Sequence, residues 1–221
     1  TDGLGRQDRL RYVLGLHEAT VMGMADGYAQ ATGGLAAVNV HVQPGLANAM
    51  SGILNAARAR VPLLVTVGQQ VQALLPGAPF LGGEMVAFAR PLAKGAWEVE
   101  RAADLPAALE RAVRMALTPP CGPVALSLPL DVQVAPAPEP FSVVAPSVTP
   151  PPADGLDAAA RLLAAARDPV VLAGDEVARS GAVAALAAIA ERLGAPVYGE
   201  AMAATIPLPT DPAHWRGVLP G

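Results

Sequence analysis

The sequence predicts an α/β protein, an open parallel sheet with helices on both faces followed by the start of a second α/β domain. Three observations predict it. Through the first 130 residues, short apolar runs alternate with longer stretches of helical period, as in parallel strands covered on both sides. Eight prolines between Pro129 and Pro152 then interrupt the alternation, and a second one begins beyond them. Finally, 52% of the 221 residues are hydrophobic and only 4% aromatic, so the core has to be built from Ala, Val and Leu.

The first strand is expected over Arg11–Leu16, ending at His17-Glu18. A small-residue helix follows from Ala19 to Thr32 with Val21, Ala25, Tyr28 and Ala29 on one stripe, and Gly33-Gly34 stops it. Strands Ala36–Val40 and Leu63–Val67 flank a helix over Leu46–Arg58 that aligns Met50, Ile53, Leu54 and Ala57. Asp104 can cap a helix running to about Leu117, Pro119-Pro120 bars its extension, and strand Pro123–Leu128 completes the set. The predicted domains are therefore 1–130, without its first strand; a stiff Pro-rich linker, 131–153; and a partial central domain, 154–221. In the last, helix Leu156–Ala166, strand Val170–Ala173, helix Ala182–Leu193 and strand Pro196–Tyr198 can be read. Two strands are too few for a stable sheet, and only ten mostly polar residues precede the first strand, so a piece of a larger enzyme is expected.

Composition narrows the partners. No apolar run approaches the roughly 18 to 20 residues of a membrane span, and no basic segment precedes an apolar one as in a signal peptide. A net charge of -4 without a basic cluster argues against nucleic acid. Cys121 is the one cysteine, which excludes an internal disulfide and a multi-cysteine metal site and points to the cytoplasm.

In an open parallel sheet, ligands bind beyond the carboxyl ends of the strands. The residues following successive expected strands are His17-Glu18, His41-Val42-Gln43-Pro44-Gly45 and Gly68-Gln69-Gln70. Glu18, His41 and Gln69 thus fall along one rim. Glu18 stands amid a mostly apolar run, where ionisation needs a partner. Taken alone, each has a plain reading. A carboxylate at a helix start is favoured by the macrodipole, His41 can be structural, Gln69 and Gln70 can satisfy buried backbone groups, and Asn48 can be a polar residue of a first helical turn. No phosphate loop or dinucleotide fingerprint is present.

The segment "LHEATVMGMADGYAQATG" is similar to the glutamate-bearing segment of thiamine-diphosphate-dependent enzymes. The segment "VNVHVQPGLANAMSGILNAARARVPLLVTVGQQ" resembles the one that follows in their pyrimidine-binding domain. "NVH" and "GQQ" resemble the benzoylformate decarboxylase type most, with acetolactate synthase and oxalyl-CoA decarboxylase types as more distant relatives. "DPVVLAGDEV" and "AERLGAPVYGEAMAA" resemble the start of the family's central domain.

The resemblance implies thiamine diphosphate and Mg2+ as cofactors, with the diphosphate and metal ligands in a C-terminal domain outside this sequence. It implies that Glu18, in a dry pocket, hydrogen-bonds N1′ of the aminopyrimidine and that His41 relays protons at the reacting carbon. Gly45, Asn48 and Gln69 would bind cofactor; Phe80 and Leu81 would join His41 in the substrate pocket. The implied reaction is non-oxidative decarboxylation of a 2-oxo acid. A carboligase of the acetolactate synthase type is the alternative within enzymes, and a non-catalytic α/β binding or assembly module the alternative outside them. Active sites between subunits imply a homodimer or homotetramer, for which Ala19, Gly23, Ala25 and Gly27 would admit a partner helix. "GDEV" at 174–177 matches only the beginning of the family's metal motif and is not expected to bind metal. A serine-bearing loop of the benzoylformate decarboxylase type has no counterpart, and Gln43 and Pro44 replace smaller residues, which leaves the preferred 2-oxo acid open.

Overall fold

A computed structural model describes residues 10–136, 142–143, 154–209 and 213–220. The chain divides into two compact units, 1–148 and 149–221. The first holds strands β1 (Ala36–Val40), β2 (Leu63–Gln69), β3 (Gly95–Glu98) and β4 (Val124–Pro129) and helices α1 (Glu18–Thr32), α2 (Val42–Arg58), α3 (Met85–Ala89), α4 (Leu105–Leu117) and α5 (Leu130–Val134). Its sheet runs β1-β2-β4-β3, and every neighbouring pair is parallel.

Helices cover both faces. Met22 of α1, Leu46, Ala49 and Ile53 of α2 and Met85 of α3 pack with Val38, Val40, Val65 and Val67 of the sheet. On the other face Ala112 and Ala116 of α4 pack with Leu64, Val124 and Leu126. Alanine and glycine bring α1 and α2 close: a Cβ at Gly52 would run into Met22. β1 departs from the doubly covered pattern, since its burial alternates and Ala37 and Asn39 are exposed. On that face α4 packs against Leu64 of β2 and Val124 and Leu126 of β4.

Several expected elements are corrected. Arg11–Leu16 is not a strand: it pairs with no described strand, and Leu16 is 97% exposed. An apolar run becomes a strand only where a neighbour takes its N–H and C=O groups. α2 begins four residues earlier than expected, at Val42, because Pro44 sits in the first helical turn, whose N–H groups need no helical partner. β2 extends two residues further, so Gln69 ends the strand instead of following it. Asp104 occupies the cap position of α4 but makes no side-chain cap bond. The predicted linker starts with the short helix α5, while most of the rest lies outside the described residues.

In the second unit, α6 (Leu156–Ala165), β5 (Val171–Ala173), α7 (Asp175–Arg179), α8 (Val183–Leu193), β6 (Val197–Gly199) and β7 (Trp215–Val218) follow in order. The sheet is parallel, in order β5-β6-β7, with a small core of Ala173, Ala190, Val197 and Leu208. It has three strands where two were expected. β7 carries Gly217 at φ 97, which breaks the apolar pattern a strand would show. Among the described residues, no helix is long and apolar enough to cross a membrane.

Candidate active site

Three helix starts and strand ends build the site in the first unit. At the head of α1, His17 is the N-cap, and its Nδ1 accepts the Ala19 N–H at 3.1 Å. Glu18 is therefore the first helical residue, half-buried, with its carboxylate turned toward α2. Asn48 of α2 donates from Nδ2 to Glu18 Oε2 at 3.0 Å. The other oxygen faces Gly45, where a Cβ would lie 3.2 Å from Glu18 Oε1 and 3.4 Å from Val40 Cβ. Only a residue without a side chain leaves the carboxylate there undisturbed.

The Glu18 carboxyl is held below the ordinary carboxylate range. Its own backbone N–H contributes most and the Asn48 amide next; burial opposes them, and His17 and His41 add a small favourable field. The side chain is consequently an anion at neutral pH and a ready acceptor for an N–H donor. Within this chain it lies on a half-buried rim, with residues 16 and 17 exposed beside it.

His41 follows β1 and is the N-cap residue of α2, exposed and without a side-chain cap bond. Its carbonyl accepts the Gly45 N–H at 3.0 Å, so His41, Gly45 and Glu18 adjoin. The next residue, Val42, is 3% exposed and has φ 46. A β-branched residue in left-handed backbone costs about 1 to 3 kcal/mol and persists only where surrounding structure enforces it. Such strain is concentrated at functional sites. Sequence reasoning missed it, since nothing in a valine announces a positive φ.

The remaining candidates separate. Gln69 is 4% exposed and engaged at both ends: Nε2 donates to Gly83 O at 2.7 Å and Oε1 accepts the Gln70 N–H at 2.9 Å. Gln70 donates to Phe80 O at 2.9 Å. Phe80 is 86% exposed, whereas Leu81 is half-buried against the core. The Gln43 N–H reaches Leu81 O at 3.4 Å, which ties this loop to the first turn of α2. Glu18, His41, Gly45 and Asn48 thus form one group, and Gln69, Phe80 and Leu81 belong to a loop clamped beside it.

The group suits an aminopyrimidine: a fixed anion for a ring N–H, a glycine that leaves room, and an imidazole two helical residues away from the clamped loop. "GDEV" is different. Asp175 opens α7 and its Oδ1 accepts both the N–H and the hydroxyl of Thr205 at 2.8 Å. Among the described residues, no group of three or more His, Cys, Asp or Glu side chains is placed to hold a metal ion.

Residues 1–85 match the family described as thiamine pyrophosphate enzyme, N-terminal TPP binding domain, and residues 156–220 match the thiamine pyrophosphate enzyme central domain. Benzoylformate decarboxylase of Pseudomonas aeruginosa is 38% identical over 216 residues, covering 95% of this chain and 41% of the relative. Acetolactate synthase isozyme 3 large subunit of Escherichia coli is 33% identical over 204 residues, covering 89% and 35%. Among solved structures, the 4-hydroxybenzoylformate decarboxylase of Rhodococcus jostii superposes with a TM-score of 0.88 at 36% identity, covering 98% of this chain and 42% of that one. The benzoylformate decarboxylase of Polynucleobacter necessarius gives 0.89 at 36%, covering 96% and 40%. The chain spans about two fifths of the length of these decarboxylases. With its parallel α/β sheet and its two matched domains, the chain belongs to the thiamine pyrophosphate enzymes.

Proposed function

We propose that the enzyme carrying this chain catalyses non-oxidative, thiamine-diphosphate-dependent decarboxylation of a 2-oxo acid. The observation that carries this is the Glu18 carboxylate, bonded to Asn48, set against the bare Cα of Gly45 and adjoining His41. Bound thiamine diphosphate supplies the electron sink for breaking the bond to carbon dioxide.

The chain's own residues position and move protons. Glu18 is the acceptor for a protonated ring nitrogen, and Asn48 fixes its rotamer from the neighbouring helix. An anion already formed and already aimed needs little reorganisation when the charge on that ring changes. His41, at the exposed end of β1, gives and takes a proton at the substrate carbon, a task imidazole suits near neutral pH. Phe80 and Leu81 border the substrate, and Gly45 admits the cofactor ring. Thiamine diphosphate with Mg2+ is the proposed cofactor pair, supported by the family to which both matched domains belong. A homodimer or homotetramer is proposed as the assembly, supported by the exposed Ala19, Gly23 and Gly27 on α1; a monomeric mass for the intact enzyme would reject it. The cytoplasm is the proposed setting, for which the single cysteine is the support.

A carboligase is the second reading, favoured by the identity to acetolactate synthases. Incubating the intact enzyme with benzoylformate and with pyruvate separates the two. Aldehyde and carbon dioxide as products support decarboxylation. Acetohydroxy acid as the main product overturns it.

A further inference from the structure

The stretch from Ala78 to Gly83 is held to the carboxyl edge of the sheet by amide groups of two consecutive glutamines. Gln69 Nε2 donates to Gly83 O at 2.7 Å, Gln70 Nε2 to Phe80 O at 2.9 Å, and the Gln43 N–H to Leu81 O at 3.4 Å. The loop is internally tight as well: the Gly82 N–H bonds Pro79 O at 2.9 Å, and Ala78 and Leu81 have φ 47 and 64. With Val42, three non-glycine residues of left-handed backbone surround this one clamp. Gly83 completes it, since a Cβ there would strike the Gln43 amide at 2.5 Å.

A left-handed loop of this kind relaxes unless something holds it. Gln69 is the side chain best placed to hold it. Buried at the end of β2, it spends its donor on the loop and its acceptor on Gln70, whose own amide then reaches the other end of the loop. A buried amide engaged at both ends loses heavily if one partner is removed. The loop in turn presents exposed Phe80 and anchors Leu81 two residues from His41 along the Gln43 contact.

We infer that Gln69, seconded by Gln70, is a positioning residue: it sets the 79–83 backbone and thereby the shape of the substrate pocket beside His41. On this inference its amide, engaged by Gly83 and Gln70, serves the loop in place of the cofactor contact that the resemblance implies for Gln69. The inference rests on the decarboxylase reading of the His41 rim only for its effect on substrate; the clamp itself is independent of it. On this inference the clamp governs discrimination by side-chain size: an aryl 2-oxo acid would meet the exposed Phe80 and a small one would stop short of it.

The test compares Gln69→Met and Gln70→Met with the wild-type intact enzyme. Met keeps the length of Gln69 and removes its hydrogen bonds. Backbone amides of residues 80–84 are expected to exchange roughly 10-fold faster in Gln69→Met, with β1 and α1 unchanged. KM for benzoylformate is expected to rise about 10-fold while KM for pyruvate and hydrogen-deuterium exchange at cofactor C2 stay constant. Unchanged loop exchange overturns the inference. So does a loss of thiamine diphosphate affinity with the loop intact, which marks a cofactor contact, and so does an equal change in KM for both acids. If Gln69→Met does not fold, Gln70→Met decides by the same amides. If the wild type releases no aldehyde from either acid, the decarboxylase reading fails, and loop exchange still decides whether Gln69 positions the loop.

Discussion

Each unit places a carboxylate at the start of a helix, and the two are held in opposite ways. Glu18 opens α1 and keeps an ionised side chain half-exposed, with Asn48 on one oxygen and the bare Gly45 beside the other. Asp175 opens α7 inside a closed set. Burial pushes its carboxyl upward, but the Ala204 and Thr205 N–H groups, the Thr205 hydroxyl and the Arg179 guanidinium outweigh it and hold it low. Glu200 closes the same corner, its carboxylate 3.0 Å from where a Gly174 Cβ would stand. An acid whose partners all lie within the protein holds the fold together. An acid that faces an open rim next to a histidine and a glycine is available to a ligand.

Replacements on the two sides should therefore differ in kind. Glu18→Gln in the intact enzyme is expected to slow C2 exchange of the cofactor by about 10² to 10⁴ while the unfolding midpoint holds. His41→Ala should lower turnover by roughly 10² and leave C2 exchange untouched, which rapid-quench and proton NMR together resolve. Asp175→Ala should cost about 1 to 3 kcal/mol of unfolding free energy and spare C2 exchange. Because the folded carboxyl lies below its unfolded value, this contribution is present above the unfolded pKa and disappears as pH falls through the folded one. Wild type and Asp175→Ala should thus converge in denaturant unfolding at strongly acidic pH. Gly45→Ala is the smallest change. Alanine favours a helix by about 1 kcal/mol, so stability should hold or rise, while the displaced Glu18 carboxylate lowers activity by roughly 10-fold.

Much of this was legible in the residues. The runs at 36–40 and 63–67 are apolar and short, and each formed a strand, the second running on to Gln69; the helix ending at Thr32 stopped at the glycine pair that reads as a stop. What escaped was decided elsewhere in the chain. Gly95–Glu98 is a strand because β4 supplies its ladder, and four residues of mixed character do not announce it. Arg11–Leu16 has a strand's composition and no partner among the described residues. At the site, His41 follows β1 as expected, but Glu18 was placed beside it through a strand that does not form; the two meet because α1 packs on α2, and the Asn48 bond depends on the same close approach. The engagement of Gln69 with Gly83, 14 residues away, is a tertiary event that the dipeptide "QQ" leaves open.

The carboxylate of Glu18 is proposed to meet a ring nitrogen of the aminopyrimidine. A crystal structure of the intact enzyme with thiamine diphosphate measures that separation directly. The expected oxygen-to-nitrogen distance is about 2.5 to 3.0 Å, with Asn48 still bonded to the other oxygen. A ring nitrogen beyond about 4 Å, or a Glu18 side chain turned away from α2, would contradict it.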